Sequence, residues 1–154
     1  MQYKMLGNSG IKASVVAMGT WVTGGGLTWD GVEDKESLRA IDAALAAGVN
    51  FIDTAPGYGW GHAEEIIAKA LKGRRDKAVI ATKCGIWWED NRGAFHAHLD
   101  GKDVYISLRP ETIQIEVENS LRRLETDYID LYQTHWPSKE PDLTPIEDTM
   151  ACLM

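Results

Sequence analysis

The sequence predicts an α/β fold, a parallel (β/α)8 TIM barrel. Its 154 residues supply about the first four βα units, behind an N-terminal β-hairpin, as one domain spanning 1–154. Three observations carry this expectation. Short apolar runs alternate with amphipathic helical segments, the pattern of a parallel sheet covered by helices. The segment after the first strand, GTWVTGGG (19–26), spaces its glycines wrongly for the G-x-G-x-x-G of an open dinucleotide-binding sheet, the other architecture that fits the alternation. Ionisable residues also close successive apolar runs, at the ends where a barrel's loops gather.

The elements follow in order. Tyr3, Met5, Ile11 and Ala13 flank the turn residues Gly7, Asn8 and Gly10, which reads as a hairpin. SVVAMGT (14–20) is short and apolar, as in a buried strand, and 21–31 is too glycine-rich for regular structure. In 34–48, Leu38, Ile41, Ala44, Leu45 and Ala47 share a helical face, with Asp34 suited to cap the start and Gly48 the end. VNFIDTA (49–55) is a strand. HAEEIIAKALKG (62–73) is a helix with Ile66, Ile67, Ala70 and Leu71 inward and Gly73 as stop. AVIATK (78–83) is a buried strand. Residues 84–108 form a long connection, and structureless connections beyond about 15 residues are often functional. The helix at 109–127 begins with Pro110 in its first turn and repeats Ile113, Val117, Leu121 and Leu124. YIDLYQTH (128–135) is the fourth strand. A last helix opens with Thr144 as cap and Pro145 first, and the pattern breaks off at MACLM.

Composition excludes several function classes. A net charge of −7 argues against nucleic acid as a partner. The basic cluster Lys72, Arg74, Arg75, Lys77 reads as a solvated helix end. Two cysteines cannot build a disulfide framework, which points to a reduced, cytoplasmic setting. No stretch approaches the ~20 apolar residues of a membrane span.

Asp53, Lys83 and His135 end the second, third and fourth apolar runs, and Tyr58 lies in the loop leaving the same face. Each alone has an ordinary structural role: a turn cap, a solvent-reaching amine, a packed loop residue, a plug of the barrel mouth. Together they make a proton-donor set. Tyrosine is a weak acid, with a reference pKa of about 10, and a neighbouring ammonium favours its phenolate. Lys83 can supply that charge, Asp53 can pin Lys83, and His135 can hydrogen-bond a substrate oxygen. Such a set suits protonation of an alkoxide formed as hydride reaches a carbonyl carbon, with the hydride coming from a cofactor.

GVNFIDTAPGYG followed by AEEIIAKAL, together with VIATK and DYIDLYQTHWP, resembles the aldo-keto reductase family over the entire chain. The resemblance implies an NADP(H)-dependent oxidoreductase acting on a small carbonyl substrate, with Asp53, Tyr58, Lys83 and His135 as catalytic residues and Tyr58 as general acid. It also implies that Gly19, Thr20 and Trp21, from GTW, approach the nicotinamide beside Asp53. The loops at 21–31 and 84–108 would line the substrate mouth, with Trp21, Trp29, Trp60, Trp87, Trp88 and Trp136 as candidate walls. His96 and His98 lack a third partner for a metal. Family members are full eight-unit barrels, roughly twice this length, whose later loops hold most of the cofactor. The resemblance thus implies the N-terminal half of such an enzyme, a truncated chain whose activity alone is open. Two alternatives stand beside it: a non-catalytic cofactor-binding subunit of the potassium-channel β type, and an inactive half-barrel that self-associates into a homo-oligomer.

Overall fold

The computed structural model describes residues 1–26 and 29–154, so Leu27 and Thr28 of the predicted 21–31 loop lie outside the described residues. A hairpin of β1 (Tyr3–Met5) and β2 (Lys12–Ser14) comes first. Then follow β3 (Ala17–Gly19), a 3-10 turn at Val22–Gly24, α1 (Asp34–Ala46), β4 (Phe51–Asp53), α2 (His62–Leu71), a second 3-10 segment at Arg75–Lys77, and β5 (Val79–Cys84). Three further strands, β6 (Ile86–Trp87), β7 (Ala94–Leu99) and β8 (Lys102–Ile106), precede α3 (Pro110–Arg123), β9 (Leu131–Thr134) and α4 (Ile146–Leu153).

The main sheet runs β3-β4-β5-β9, every neighbour parallel and every crossover in chain order. A doubly wound sheet reverses its order midway. This one advances steadily, as an arc of a barrel does. The helices cover one side. Ile52 and Ile80 of the sheet meet Ile41 of α1, Ile66, Ile67, Ala70 and Leu71 of α2, and Leu124 beyond α3 in a dry cluster. Alternation along β5 puts Ile80 and Thr82 on that side and Lys83 on the other.

The hairpin sits at the opposite end of the arc from Asp53. Asn50, just before β4, accepts the Ser14 N–H through Oδ1 at 2.7 Å, and Tyr3 Oη donates to the Gly48 carbonyl at 2.7 Å. Gly48 follows α1 at φ 85°, the left-handed stop that the sequence expects. Of the basic cluster, Lys72 and Lys77 are exposed, while Arg74 and Arg75 make structural contacts. Arg75 pairs with Asp130 at 2.6 Å and lies 4.0 Å from the Tyr128 ring, and Arg74 bonds the Ala70 carbonyl and Asp42.

Five expectations change. Residues 84–108 are not a structureless connection: β8 pairs with both β6 and β7 in an antiparallel sheet, with a register shift between Phe95 and Ala97. The strands are short and the shift interrupts their alternation, so the sequence shows no sustained strand pattern there. The first strand is not buried, because β3 is an edge of the arc and Val15 and Val16 before it are exposed. Asp34 does not cap α1. Glu33 occupies that position, and the Asp34 carboxylate instead meets His62 Nε2 at 2.7 Å. Thr144 does not cap α4, since the Pro145 carbonyl accepts the first N–H groups and Thr144 accepts from Ser138. Finally, Trp87 is buried with its Nε1 on Asp90, so it packs the small sheet rather than walling a mouth.

Candidate active site

The parallel pairing decides where the ionisable residues go. Gly19 is in register with Asp53, and Asp53 with Ala81, so β3, β4 and β5 end at one rim. Lys83 is in register with Gln133, and His135 continues β9 by donating its N–H to the Cys84 carbonyl at 2.8 Å. Lys83 Nζ reaches Asp53 Oδ1 and Oδ2 at 2.9 and 3.0 Å, the Thr54 carbonyl at 2.7 Å and Tyr58 Oη at 3.3 Å. The ammonium has a carboxylate, a carbonyl and a phenol as partners, and its side chain is only 14% exposed.

Tyr58 is presented by a tight loop. Gly59, Trp60 and Gly61 all have positive φ (62°, 56° and 100°). Glycine adopts this region freely and tryptophan does not. Trp60 is held there by its Nε1 bond to Asp100 at 3.0 Å, at the tip of the β7–β8 hairpin, and by an edge contact with Trp88. The 3-10 turn lies directly on this loop. A Cβ on Gly24 would stand 2.5 Å from the Tyr58 carbonyl carbon and 2.7 Å from the Gly59 nitrogen. Only glycine permits that approach.

The His135 ring meets the Tyr58 ring edge-on at 5.8 Å. Burial, and then the Lys83 charge, push the His135 imidazole down to about 4, so it is neutral at ordinary pH. It stacks on Trp136, which is in turn 6.2 Å from His96. Trp21 lies 6.4 Å from Tyr58 and 6.0 Å edge-on to Trp29. Trp21, Trp29 and Trp136 are exposed around the cluster, Trp60 and Trp88 partly so. Gly19 has open space where a Cβ would be, and Thr20 is buried with its N–H and hydroxyl both donating to the Asp53 carbonyl at 3.0 Å. His98 pairs with Asp103 at 3.0 Å, and no cluster of three ligand-type residues occurs among the described residues.

Sequence reasoning missed three parts. The Thr54 carbonyl as an ammonium acceptor carries no side-chain signal. Gly24 was legible only as one of a glycine run. The buried carboxylates Glu64 and Glu116 behind the rim were hidden in ordinary-looking helices.

Residues 15–154 match the aldo/keto reductase family, and the chain belongs to that family. It is 46% identical to the aldo-keto reductase YhdN of Bacillus subtilis (strain 168), over 97% of this chain and 41% of that protein. It is 45% identical to the NADH-specific methylglyoxal reductase of Escherichia coli (strain K12), over 96% and 46%. Among solved structures, the glycerol dehydrogenase AKR11B4 of Gluconobacter oxydans superposes with a TM-score of 0.80 at 42% identity, over 98% of this chain and 43% of that one. The chain thus spans less than half the length of these relatives, as a partial TIM barrel.

Proposed function

We propose that residues 1–154 form the N-terminal half of a barrel domain, and that they carry the proton-donor part of an NADP-dependent oxidoreductase. The enzyme would reduce aldehydes and ketones to alcohols, with Tyr58 as general acid. The observation that carries this reading is the Lys83 ammonium, seated on Asp53 and the Thr54 carbonyl and 3.3 Å from the Tyr58 phenol.

The roles follow from that geometry. As a carbonyl oxygen gains charge, Tyr58 Oη gives it a proton, and the adjacent ammonium stabilises the phenolate left behind. Asp53 holds the ammonium in place through both carboxylate oxygens. His135, neutral, can donate a hydrogen bond to the same oxygen and so orient the carbonyl. Trp21, 6.4 Å from Tyr58, and Trp136, stacked on His135, flank the cluster. A bound nicotinamide cofactor supplies the hydride. The open surface over Gly19, with Thr20 and Asp53 behind it and the Trp21 indole beside it, fits a flat ring at the rim. The names of the relatives support small carbonyl compounds as substrates. They also include an NADH-specific enzyme, so the NADP assignment is the finer part of the proposal. Neither a nucleic acid nor a membrane is needed as partner, and the setting proposed is cytoplasmic.

The test is a titration of NADPH and then NADH into the chain, read by nicotinamide fluorescence. Carbonyl-dependent loss of the reduced cofactor with methylglyoxal follows, in the unsubstituted chain and in Tyr58→Phe. The reading expects Tyr58→Phe to keep cofactor binding and lose turnover, by roughly 10²–10⁴-fold for a missing general acid. Unchanged turnover in Tyr58→Phe would remove the general-acid role. Tight binding without turnover in the full-length protein would favour the non-catalytic subunit.

A further inference from the structure

Behind the rim, on the helix-facing side of β5, two carboxylates from different helices reach the strand on either side of Lys83. Glu64 of α2 is fully buried, accepts the Thr82 hydroxyl at 2.7 Å and pairs with Arg123 Nε of α3 at 2.6 Å. Glu116 of α3 is 4% exposed and accepts the Gly85 N–H through both oxygens at 2.9 and 3.1 Å. Thr82 and Gly85 bracket Lys83 and Cys84. Gly85, at φ 97°, is where the chain leaves the sheet for β6. Arg123 also packs against Gly61, at the end of the Tyr58 loop, where any Cβ would collide with its side chain.

Buried carboxylates are costly, and apolar residues would hold two helices on a sheet more cheaply. Their placement needs another account. The β5 ladder pairs Lys83 with Gln133 and Cys84 with Thr134 and then stops at Gly85, so Lys83 is carried by the last residues of the strand. A side chain as long as lysine would then sample many positions. Holding the Thr82 hydroxyl before Lys83 and the Gly85 N–H after it fixes the base from which the lysine side chain starts.

Building on the reading above, we propose that Glu64, through Thr82, and Glu116, through Gly85, are positioning residues for Lys83. They fix the strand end from the helix layer, so that the ammonium is delivered to Asp53, the Thr54 carbonyl and Tyr58 on the other face. The same clamp reaches His135, whose N–H is bonded to the Cys84 carbonyl inside the bracketed segment. Burial raises the Glu116 carboxyl to about 8, with the Gly85 N–H and the Arg123 charge pulling the other way. It therefore gains little as an ion and serves as an oxygen acceptor.

The experiment uses the 154-residue chain with nitrogen-15-labelled lysine. A seated, carboxylate-bonded Lys83 Nζ should give a resonance displaced from the solvated lysines, assigned by its loss in Lys83→Met. Thr82→Val removes the hydroxyl while keeping the shape and leaving the Glu64–Arg123 pair in place, and Thr82→Ser restores the hydroxyl. Glu116→Ala removes the acceptor, and Glu116→Gln restores one oxygen. Thr82→Val and Glu116→Ala should move the Lys83 resonance to the solvated position, and Thr82→Ser and Glu116→Gln should bring it back. Turnover should track the resonance, falling on the order of 100-fold, as misplacement of a catalytic group by about 1 Å can cost. Should Thr82→Val lower only the melting temperature and leave the Lys83 resonance displaced, the residues are merely structural and the proposal fails. A solvated Lys83 in the unsubstituted chain overturns the clamp and the catalytic reading together. A displaced, clamp-dependent Lys83 with full turnover in Tyr58→Phe overturns the catalytic reading alone.

Discussion

The two faces of the same four strands differ in kind. Toward the helices, Ile52 and Ile80 are 1% exposed and surrounded by Ile41, Ile66, Ile67 and Leu71. Toward the inside of the arc, Phe51, Asp53, Val79, Lys83, Leu131 and Gln133 are only half-buried, and two of them are charged. One face is apolar and dry, which is where burial stabilises most, at roughly 25 cal/mol per Å². The other carries the Asp53–Lys83 pair and, Ala81 apart, is less buried. The fold is held by one side and the site is displayed on the other, with Glu64 and Glu116 as polar exceptions that connect them.

If that division is right, substitutions on the two faces should separate stability from site chemistry. Ile66→Ala, in the fully buried helix layer, should cost about 2–5 kcal/mol by urea denaturation. The rim cluster should survive wherever the chain remains folded. Gly24→Ala sits at the boundary. Its methyl collides with the Tyr58–Gly59 backbone, so an overpacking cost of about 1–3 kcal/mol should come with displacement of Tyr58 and loss of turnover.

Titration sharpens the comparison further. Glu116 ionises near 4.5 when unfolded and near 8 in the fold. Its contribution is complete below pH 4.5 and is lost as pH rises to about 8, where the unfolded chain has released a proton that the fold retains. Glu116→Gln should flatten that slope in melts across the window. His135 works oppositely. Unfolded it takes up a proton near 6.5, in the fold only near 4, so its contribution is lost as pH falls from 6.5 to 4. His135→Gln should relieve that loss without touching the alkaline slope. The smallest effect belongs to the surface: Arg39→Ala, breaking the exposed pair with Glu36, should change stability by no more than about 0.5 kcal/mol.

Much of this was legible in the sequence. The alternation of apolar runs and helices placed four parallel strands, and the ends of those runs placed Asp53, Lys83 and His135 on one rim. What failed had local causes. The β6–β8 sheet is made of short strands, one of them two residues long, and a register shift between Phe95 and Ala97 breaks its alternation, so no sustained period-2 run marks it. Asp34 looked like a cap because capping chemistry and ion pairing use the same side chain, and the choice between them depends on His62 in another helix. The Glu64 and Glu116 contacts join residues 18 and 31 positions apart. Their charge marks such glutamates as solvent-facing, although Glu64 shares a helical face with Ile67 and Leu71 and Glu116 with Ile113, and only the fold reveals their partners.

The most direct measurement of the division between the faces compares Ile80→Ala with Lys83→Met. These residues lie three apart on one strand and point in opposite directions. For each variant, the melting temperature and the carbonyl-dependent oxidation of NADPH per folded molecule would be recorded together. The account predicts that Ile80→Ala lowers the melting temperature, by about 2–4 °C for every kcal/mol lost, and leaves turnover intact. It predicts that Lys83→Met abolishes turnover and melts within a few degrees of the parent. A loss of folding in Lys83→Met as large as that in Ile80→Ala, or a loss of turnover in both, would contradict it.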